Sequence, residues 1–447
     1  MTSPPRTTMY SPKAADNFIG VDAQLQAKLE SITPKDVSMT PNHVFEENQL
    51  HQEVLNVMSL GPFNNTISGS RQQMYGASHI TQTLVIKGST PRRIQTSAEQ
   101  EYGKATFCTK AEYDCEVLQK FRFYEPSAQD ASGIKRNPMT ALIVETIGSN
   151  AERPDEREID VIYLTDYMSL HQYFGYNLKS KDFVAGLRKG SLIKAGTILQ
   201  DSPNKHPDGN YCVGRELNTV LASFDAVAED GVILSEEAVP WFEITKFERR
   251  TVSWGTTHYP INLYGDENNY KPFPDIGDYV REDGLLMALR SYDNNFSAVE
   301  MSKASLRRVA YTHDKLFYAP SGRGKVIDIR VRHDATQNAV SPAICNTQAA
   351  KYDESARQFY QSVYEFHTQV LKKRYGDQLK MTPRYRQLIK TAYATLQERA
   401  PRQRGQETER VQKIYRGSPM DDYTIEFTIE YKSLPKVGNK ITDTFGG

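Results

Sequence analysis

The sequence predicts an α+β protein, mostly β, on three observations. Short runs of alternating apolar and polar residues, bounded by Gly, Pro and Asn clusters, recur over most of the 447 residues. Two glycine-spaced stretches, "KGSLIKAGTIL" (Lys189 to Leu199) and "IGDYVREDGLLMAL" (Ile276 to Leu289), share one layout. One block, Glu354 to about Gln412, switches to helical spacing.

The length suits roughly two to four domains. Lys plus Arg and Asp plus Glu number 55 each, so no global field draws the chain to nucleic acid, and any such role rests on local patches. Cys108, Cys115, Cys212 and Cys345 lack a C-x-x-C or metal spacing and read as reduced thiols of a cytosolic protein. No apolar run approaches the roughly 20 residues that span a bilayer, so no membrane partner is expected.

Six segments follow along the chain. Residues 1–42, rich in Ser, Thr, Pro and charge, read as an extended arm. Residues 43–185 begin with helical spacing at Leu50, Val54, Val57 and Met58. A loop thick with Asn, Ser and Gly then presents Arg71, and strands follow at Thr140 to Glu145 and Ile159 to Leu164. In 186–240 the first glycine stretch predicts a strand, a tight turn and a returning strand. After it, Val220 to Phe224 and Val232 to Leu234 read as strands around Glu229-Asp230-Gly231. Residues 241–320 hold the second glycine stretch and read as a β-sandwich-like module.

In 321–420 a strand at Lys325 to Val331 leads into a helical hairpin at 354–412. Its stripes are Phe359, Val363, Phe366, Val370 and Tyr385, Leu388, Ala392, Leu396, with Gly376 between the helices and Pro383 opening the second. In 421–447, Tyr423 to Glu430 alternates as a strand with one buried face. "KVGNK" after it can bring backbone and the Lys440 ammonium close to a phosphate.

The chain lacks a G-x-x-x-x-G-K-[ST], a G-x-S-x-G, an H-E-x-x-H and a D-x-D-x-D, and its nine histidines are scattered. It carries no complete active site of a familiar kind. Three partial ones stand out. Glu229 and Asp230 could position a metal-bound triphosphate, or form an ordinary polar turn. Arg71 could fork phosphate oxygens, or join a surface ion pair. Lys440 could meet a phosphate, or lie in a frayed terminus. The hairpin's Lys372, Lys373, Arg374, Arg384 and Arg386, interleaved with tyrosines, suit contact with nucleic acid or a partner, or a merely solvated face.

Taken in order, "SRQQMYGAS", "GSLIKAGTILQDSP", "ELNTVLASFDAVAEDGVILSEEAV", "APSGRGKVIDIRV" and "YTIEFTIEYKSLPKVGNK" resemble the catalytic half of the β subunit of multisubunit RNA polymerases. The third is similar to that family's A-F-M-P-W-x-G-Y-N-x-E-D-x-I-x-x-S-E. The last is similar to the start of V-G-D-K-x-x-x-R-H-G-x-K-G. The resemblance implies part of a double-psi β-barrel and a flap that carries the hairpin. It implies Arg71 near the incoming nucleotide's triphosphate, Glu229 and Asp230 near the second, nucleotide-borne Mg2+, and Lys440 at the RNA 3′-end and nucleotide phosphates. It also implies that most Mg2+ ligation comes from a β′-like partner.

Ala226-Val227-Ala228 replaces Gly-Tyr-Asn of the signature, Ala77 stands at the family's asparagine, and R-H-G-x-K-G is missing. The resemblance therefore implies a β subunit cut inside its barrel, either a split subunit similar to those of giant tailed bacteriophages, or one truncated or interrupted by an intervening element. Such a subunit would be completed by an N-terminal β-like chain, the remaining C-terminal β-like chain and β′-like chains, and would act on a DNA template, RNA and NTPs. The expected location is the cytoplasm of an infected bacterial host, or the virion. Gly446 and Gly447 are expected to lie against a partner. A structural virion protein with a polymerase-like fold and a stand-alone nucleic-acid-binding module are the rival readings.

Overall fold

The computed structural model describes residues 57–63, 66–105, 107–123, 139–147, 157–171, 173–223, 225, 227, 231–255, 258–291, 307, 314–333, 343–373, 380–397, 414–415, 418–419 and 423–444. The arm at 1–42, Leu50 and Val54, Glu229, Asp230, Arg374, Gly376, Gly446 and Gly447 lie outside them, as does the side chain of Lys373.

The described chain is α+β, with strands outnumbering helices. Its earlier strands are β1 (Cys108–Lys110), β2 (Asp114–Arg122), β3 (Met139–Ile147), β4 (Arg157–Thr165), β5 (Tyr167–His171), β6 (Phe174–Asn177), β7 (Lys179–Ser180), β8 (Leu192–Ile193) and β9 (Ile198–Asp201). The later ones are β10 (Ile244–Trp254), β11 (His258–Pro260), β12 (Leu285–Ser291), β13 (Asp314–Tyr318), β14 (Lys325–His333), β15 (Lys380–Met381), β16 (Ile414–Tyr415), β17 (Ser418–Pro419) and β18 (Tyr423–Ser433). The α-helices are α1 (Gly69–Gln73), α2 (Ala98–Ala105), α3 (Asp182–Gly186), α4 (Ala343–Lys373) and α5 (Pro383–Gln397).

The alternation at Tyr423 to Glu430 becomes β18, an interior strand of a five-stranded sheet ordered β14-β18-β10-β6-β5. Ile425, Phe427 and Ile429 are fully buried, while Thr424, Glu426 and Glu430 point to the other face. Burying each such large apolar side chain stabilises by about 1.5–3 kcal/mol. β18 pairs antiparallel with β10 from Ile244↔Ser433 to Trp254↔Tyr423, and with β14 from Lys325↔Glu430 to His333↔Tyr423. This one sheet draws strands from segments 43–185, 241–320, 321–420 and 421–447, so the linear segments interleave in space.

A second sheet, β15-β4-β3-β2-β8, is covered on both sides. Ala141 and Ile143 of β3 face the main core, shared with Val252, Trp254 and Phe427, while Leu142 and Val144 face a smaller core with Cys115, Val184 and Leu199. Two-sided burial explains why β3 reads as a nearly unbroken apolar run. β1-β9-β7, β11-β12-β13 and β16-β17 form smaller sheets.

The two glycine stretches do share a conformation. Gly190 and Gly196 in one, and Gly277 and Gly284 in the other, all take positive φ, between 77° and 90°. The expected returning hairpin is replaced by a parting of the two arms. β8 pairs with β2 while β9 pairs with β1 and β7, and Tyr279 bridges Lys325 while β12 pairs with β11 and β13. The turns are legible locally; their partners come from distant sequence.

The helical hairpin is present, with α4 beginning at Ala343, before the expected Glu354. Its first turns are anchored by polar groups: the Trp254 indole donates to Asn346 Oδ1 (3.2 Å), and Gln348 and Tyr352 donate to Asp275 Oδ1 (2.8 and 2.9 Å). An apolar stripe cannot announce such a start. His367 lies beside Tyr385 and Tyr364 beside Tyr393, so the helices run antiparallel. Phe359 packs on Phe123 with ring centroids 4.6 Å apart, and Phe366 on Phe121 at 5.8 Å, which lays the hairpin along the second sheet. The excursion leaves from β14 and returns in its neighbour β18, as the strand predictions on either side require.

Among the described residues no helix is long and apolar enough to cross a membrane.

Candidate functional site

The segment that carries Arg71 is helical rather than a loop. Ser68 caps α1 by accepting from the Arg71 backbone N–H at 3.4 Å, and the winding loosens to a π-helix at Met74–His79 before tightening at Ile80–Gln82. Arg71 and Met74 lie on the exposed side, while Tyr75 and Ile80 pack with Leu60 and Tyr102. An arginine that pattern reading passes over, Arg92, holds this unit together. It donates to the Leu60 carbonyl (2.7 Å) and to the Tyr75 hydroxyl (2.9 Å). Burial pushes the Tyr75 phenol up, so that hydroxyl stays protonated at neutral pH.

The beginning of the acidic stretch is fastened to the same unit. The Thr90 N–H donates to the Gly214 carbonyl (3.0 Å), and the Arg93 N–H to Glu216 Oε1 (2.6 Å). The Arg215 guanidinium donates to the Gly88 carbonyl (3.1 Å) and stacks 3.7 Å from the Trp241 ring centroid. Gly88 is needed here because a Cβ would come within 2.7 Å of Trp241 Cβ. Val239–Phe242 and the Ile86↔Ile244 bridge then lead into β10.

Between these anchors the expectation fails. Val220 to Ser223 and Val232 to Leu234 form no strands, and Val220, Leu221, Val232 and Ile233 are 90%, 104%, 57% and 61% exposed. Their β-propensity is real, but a strand needs a neighbour, and none of the described strands lies alongside. Glu229 and Asp230, between the two runs, are outside the described residues.

Lys440 follows a turn closed by Asn439, whose side chain accepts from the Lys436 N–H (2.7 Å) while its own N–H donates to the Lys436 carbonyl (3.0 Å). Gly438 takes φ 92° in this turn. Lys440 is exposed, and two residues on, the Thr442 hydroxyl lies 3.5 Å from His79 Nδ1, at the end of the Arg71-bearing run. The fold thus brings the Arg71 helix, the root of the acidic stretch and the Lys440 turn onto one connected unit.

The hairpin cations divide. Arg384 is held by Glu112 (2.7 Å) and by buried Asp160 (3.0 Å), whose other oxygen accepts from Thr382 at 2.5 Å. It clamps α5 to the second sheet. Tyr385, which belongs to the predicted apolar stripe although it lies among the cations in sequence, is fully buried and presents no ring at the surface. Lys372 and Arg386 are exposed.

Cys115 and Cys212 are buried thiols pushed up to about 11, chiefly by desolvation, and are therefore protonated rather than nucleophilic at neutral pH. Among the described residues no three His, Cys, Asp or Glu side chains gather as metal ligands, and Asp230, the implied Mg2+ neighbour, lies outside them. Comparison of the chain with family models and with curated proteins finds no match.

Proposed function

We propose that the chain is a β-like subunit fragment of a multisubunit DNA-dependent RNA polymerase of the phage type, forming one wall of a catalytic cleft completed by β-like and β′-like partners. The observation that carries this reading is the family order of five segments, from "SRQQMYGAS" to "YTIEFTIEYKSLPKVGNK". It is supported by the linkage of the Arg71 helix, the Gly214 to Glu216 anchor and the Lys440 turn, which are remote in sequence. Exposed aliphatic runs flanking Glu229 and Asp230 suit a segment that acquires its neighbours on assembly.

Phosphoryl transfer asks the protein mainly for positioning and charge neutralisation. In this reading Arg71 meets the nucleotide's triphosphate, and Lys440 holds phosphates at the RNA end. Glu229 and Asp230 set the geometry of the triphosphate with its Mg2+. The metal supplies neutralisation of the transferring group, and its main ligands are assigned to the β′-like chain.

The test is RNA extension on a primed scaffold by the assembled complex, which separates catalysis from promoter recognition. Combining Asp230→Ala with Lys440→Ala is expected to abolish nucleotide addition while leaving assembly intact; undiminished addition overturns the site assignment. Mass spectrometry of the native assembly should find a chain with D-x-D-x-D. An assembly lacking one favours a structural protein.

A further inference from the structure

Between α4 and α5 lies an open cleft of about 370 Å³, within the size range of small-ligand sites. Its lining includes the apolar Leu371 and Ile389 and two aromatic rings, Tyr364 and Tyr393, whose centroids lie 6.0 Å apart at 37°. Arg386 and Lys390 stand on its edge one helical turn apart, about 5–6 Å between Cβ atoms. Arg384, two residues earlier, is tied to carboxylates, whereas Arg386 and Lys390 form no ion pair among the described residues. Among the described residues no Asp or Glu lines the cleft, and desolvation lowers the pKa of buried His367 in its wall, so that group is neutral at pH 7.

Apolar lining beside two tyrosine rings suits the face of a ring system, and two adjacent cations without counter-ions among the described residues suit a phosphate. An acidic peptide would satisfy the cations but would leave the tyrosine rings to a side chain of unspecified shape. We propose that the cleft between α4 and α5 binds a nucleotide unit, a planar base with its phosphate, either free or within a single strand. The base lies against Tyr364 and Tyr393, and the phosphate meets Arg386 and Lys390. The site shares no residue with the Arg71–Lys440 region and does not rest on the polymerase reading.

The experiment titrates the full chain into fluorescein-labelled oligouridylate, following anisotropy over a series of salt concentrations, with UMP and a Glu-Tyr copolymer as competitors. Tyr393, Arg386 and Lys390 are exposed, so Tyr393→Ala, Arg386→Gln and Lys390→Gln are expected to fold. Tyr393→Ala should weaken binding by about tenfold or more, as loss of a base-stacking ring does. Each glutamine substitution should lower the slope of log affinity against log salt by about 0.7, one phosphate contact. Lys194→Gln, in the turn between β8 and β9, should change neither. Competition by UMP assigns the site to a free nucleotide, and competition by unlabelled oligomer alone assigns it to a strand; both uphold the proposal. It is overturned by no binding up to about 100 μM, the weak end of non-specific binding. Affinity and salt slope unaltered by the three substitutions, or displacement by the copolymer alone, overturn it equally.

Discussion

The central sheet and the stretch from Gly214 to Val239 are built from the same kind of sequence and reach opposite fates. Ile425, Phe427 and Ile429 disappear between β10 and β14, whereas Val220, Leu221, Val232 and Ile233 stand in solvent. Both contain β-branched and aliphatic residues near acids. The difference lies in neighbours: β18 enters a slot prepared on both sides, and among the described residues the second stretch is anchored at its ends, by Glu216 and by Trp241. β-propensity therefore measures readiness for a sheet, and the rest of the chain decides whether the sheet exists.

The sharpest way to break this contrast is in the slot itself. Phe427→Ala should cost about 3–5 kcal/mol by opening a cavity in the main core, read as a lowered denaturation midpoint at unchanged slope. At the anchor, Gly88→Ala drives a methyl into Trp241 and should cost about 1–3 kcal/mol, with faster proteolysis after Arg215 as the local readout. Asp160→Ala frees Thr382 and leaves Arg384 with Glu112 alone. The expected loss is about 1–3 kcal/mol, accompanied by faster amide exchange in α5.

A smaller effect comes from pH. The Cys115 thiol is raised to about 11 from 9.0, so the folded state favours the protonated form. Its contribution is complete below pH 9 and declines as the pH rises through about 11. Melting temperatures between pH 8 and 11 should therefore fall less steeply in Cys115→Ala than in the parent. The smallest change is expected where the contrast is purest: Leu221→Ser should alter stability by no more than about 0.5 kcal/mol. A large loss there would show that the exposed run is packed in solution.

Local periodicity made much of this fold legible. β3, β4, β14 and β18 and the apolar stripes of α4 and α5 follow from spacing alone, because one or two faces of each are buried. The beginning of α4 was hidden because Asn346, Gln348 and Asp353 are buried there as polar residues. Arg384 looked like one more cation of a basic helix because its partners, Glu112 and Asp160, lie more than 200 residues away. Arg92 gave no pattern at all, since its work is two hydrogen bonds to a unit that does not exist until it folds. Of the candidate site, Arg71 and Lys440 could be picked out by residue type and setting, but their placement on one connected unit depends on tertiary contacts such as Thr442 with His79.

The position of β18 has a bearing on how the protein is made. It is the last of the described strands to leave the ribosome, yet it fills an interior place in the five-stranded sheet, between β14 and β10. Until residues 423–433 emerge, β10 and β14 carry two facing unpaired edges over an apolar floor. That condition invites pairing with other nascent chains. Translation of this chain should thus pass through a long interval of dependence on holding chaperones, ended by the synthesis of one eleven-residue strand.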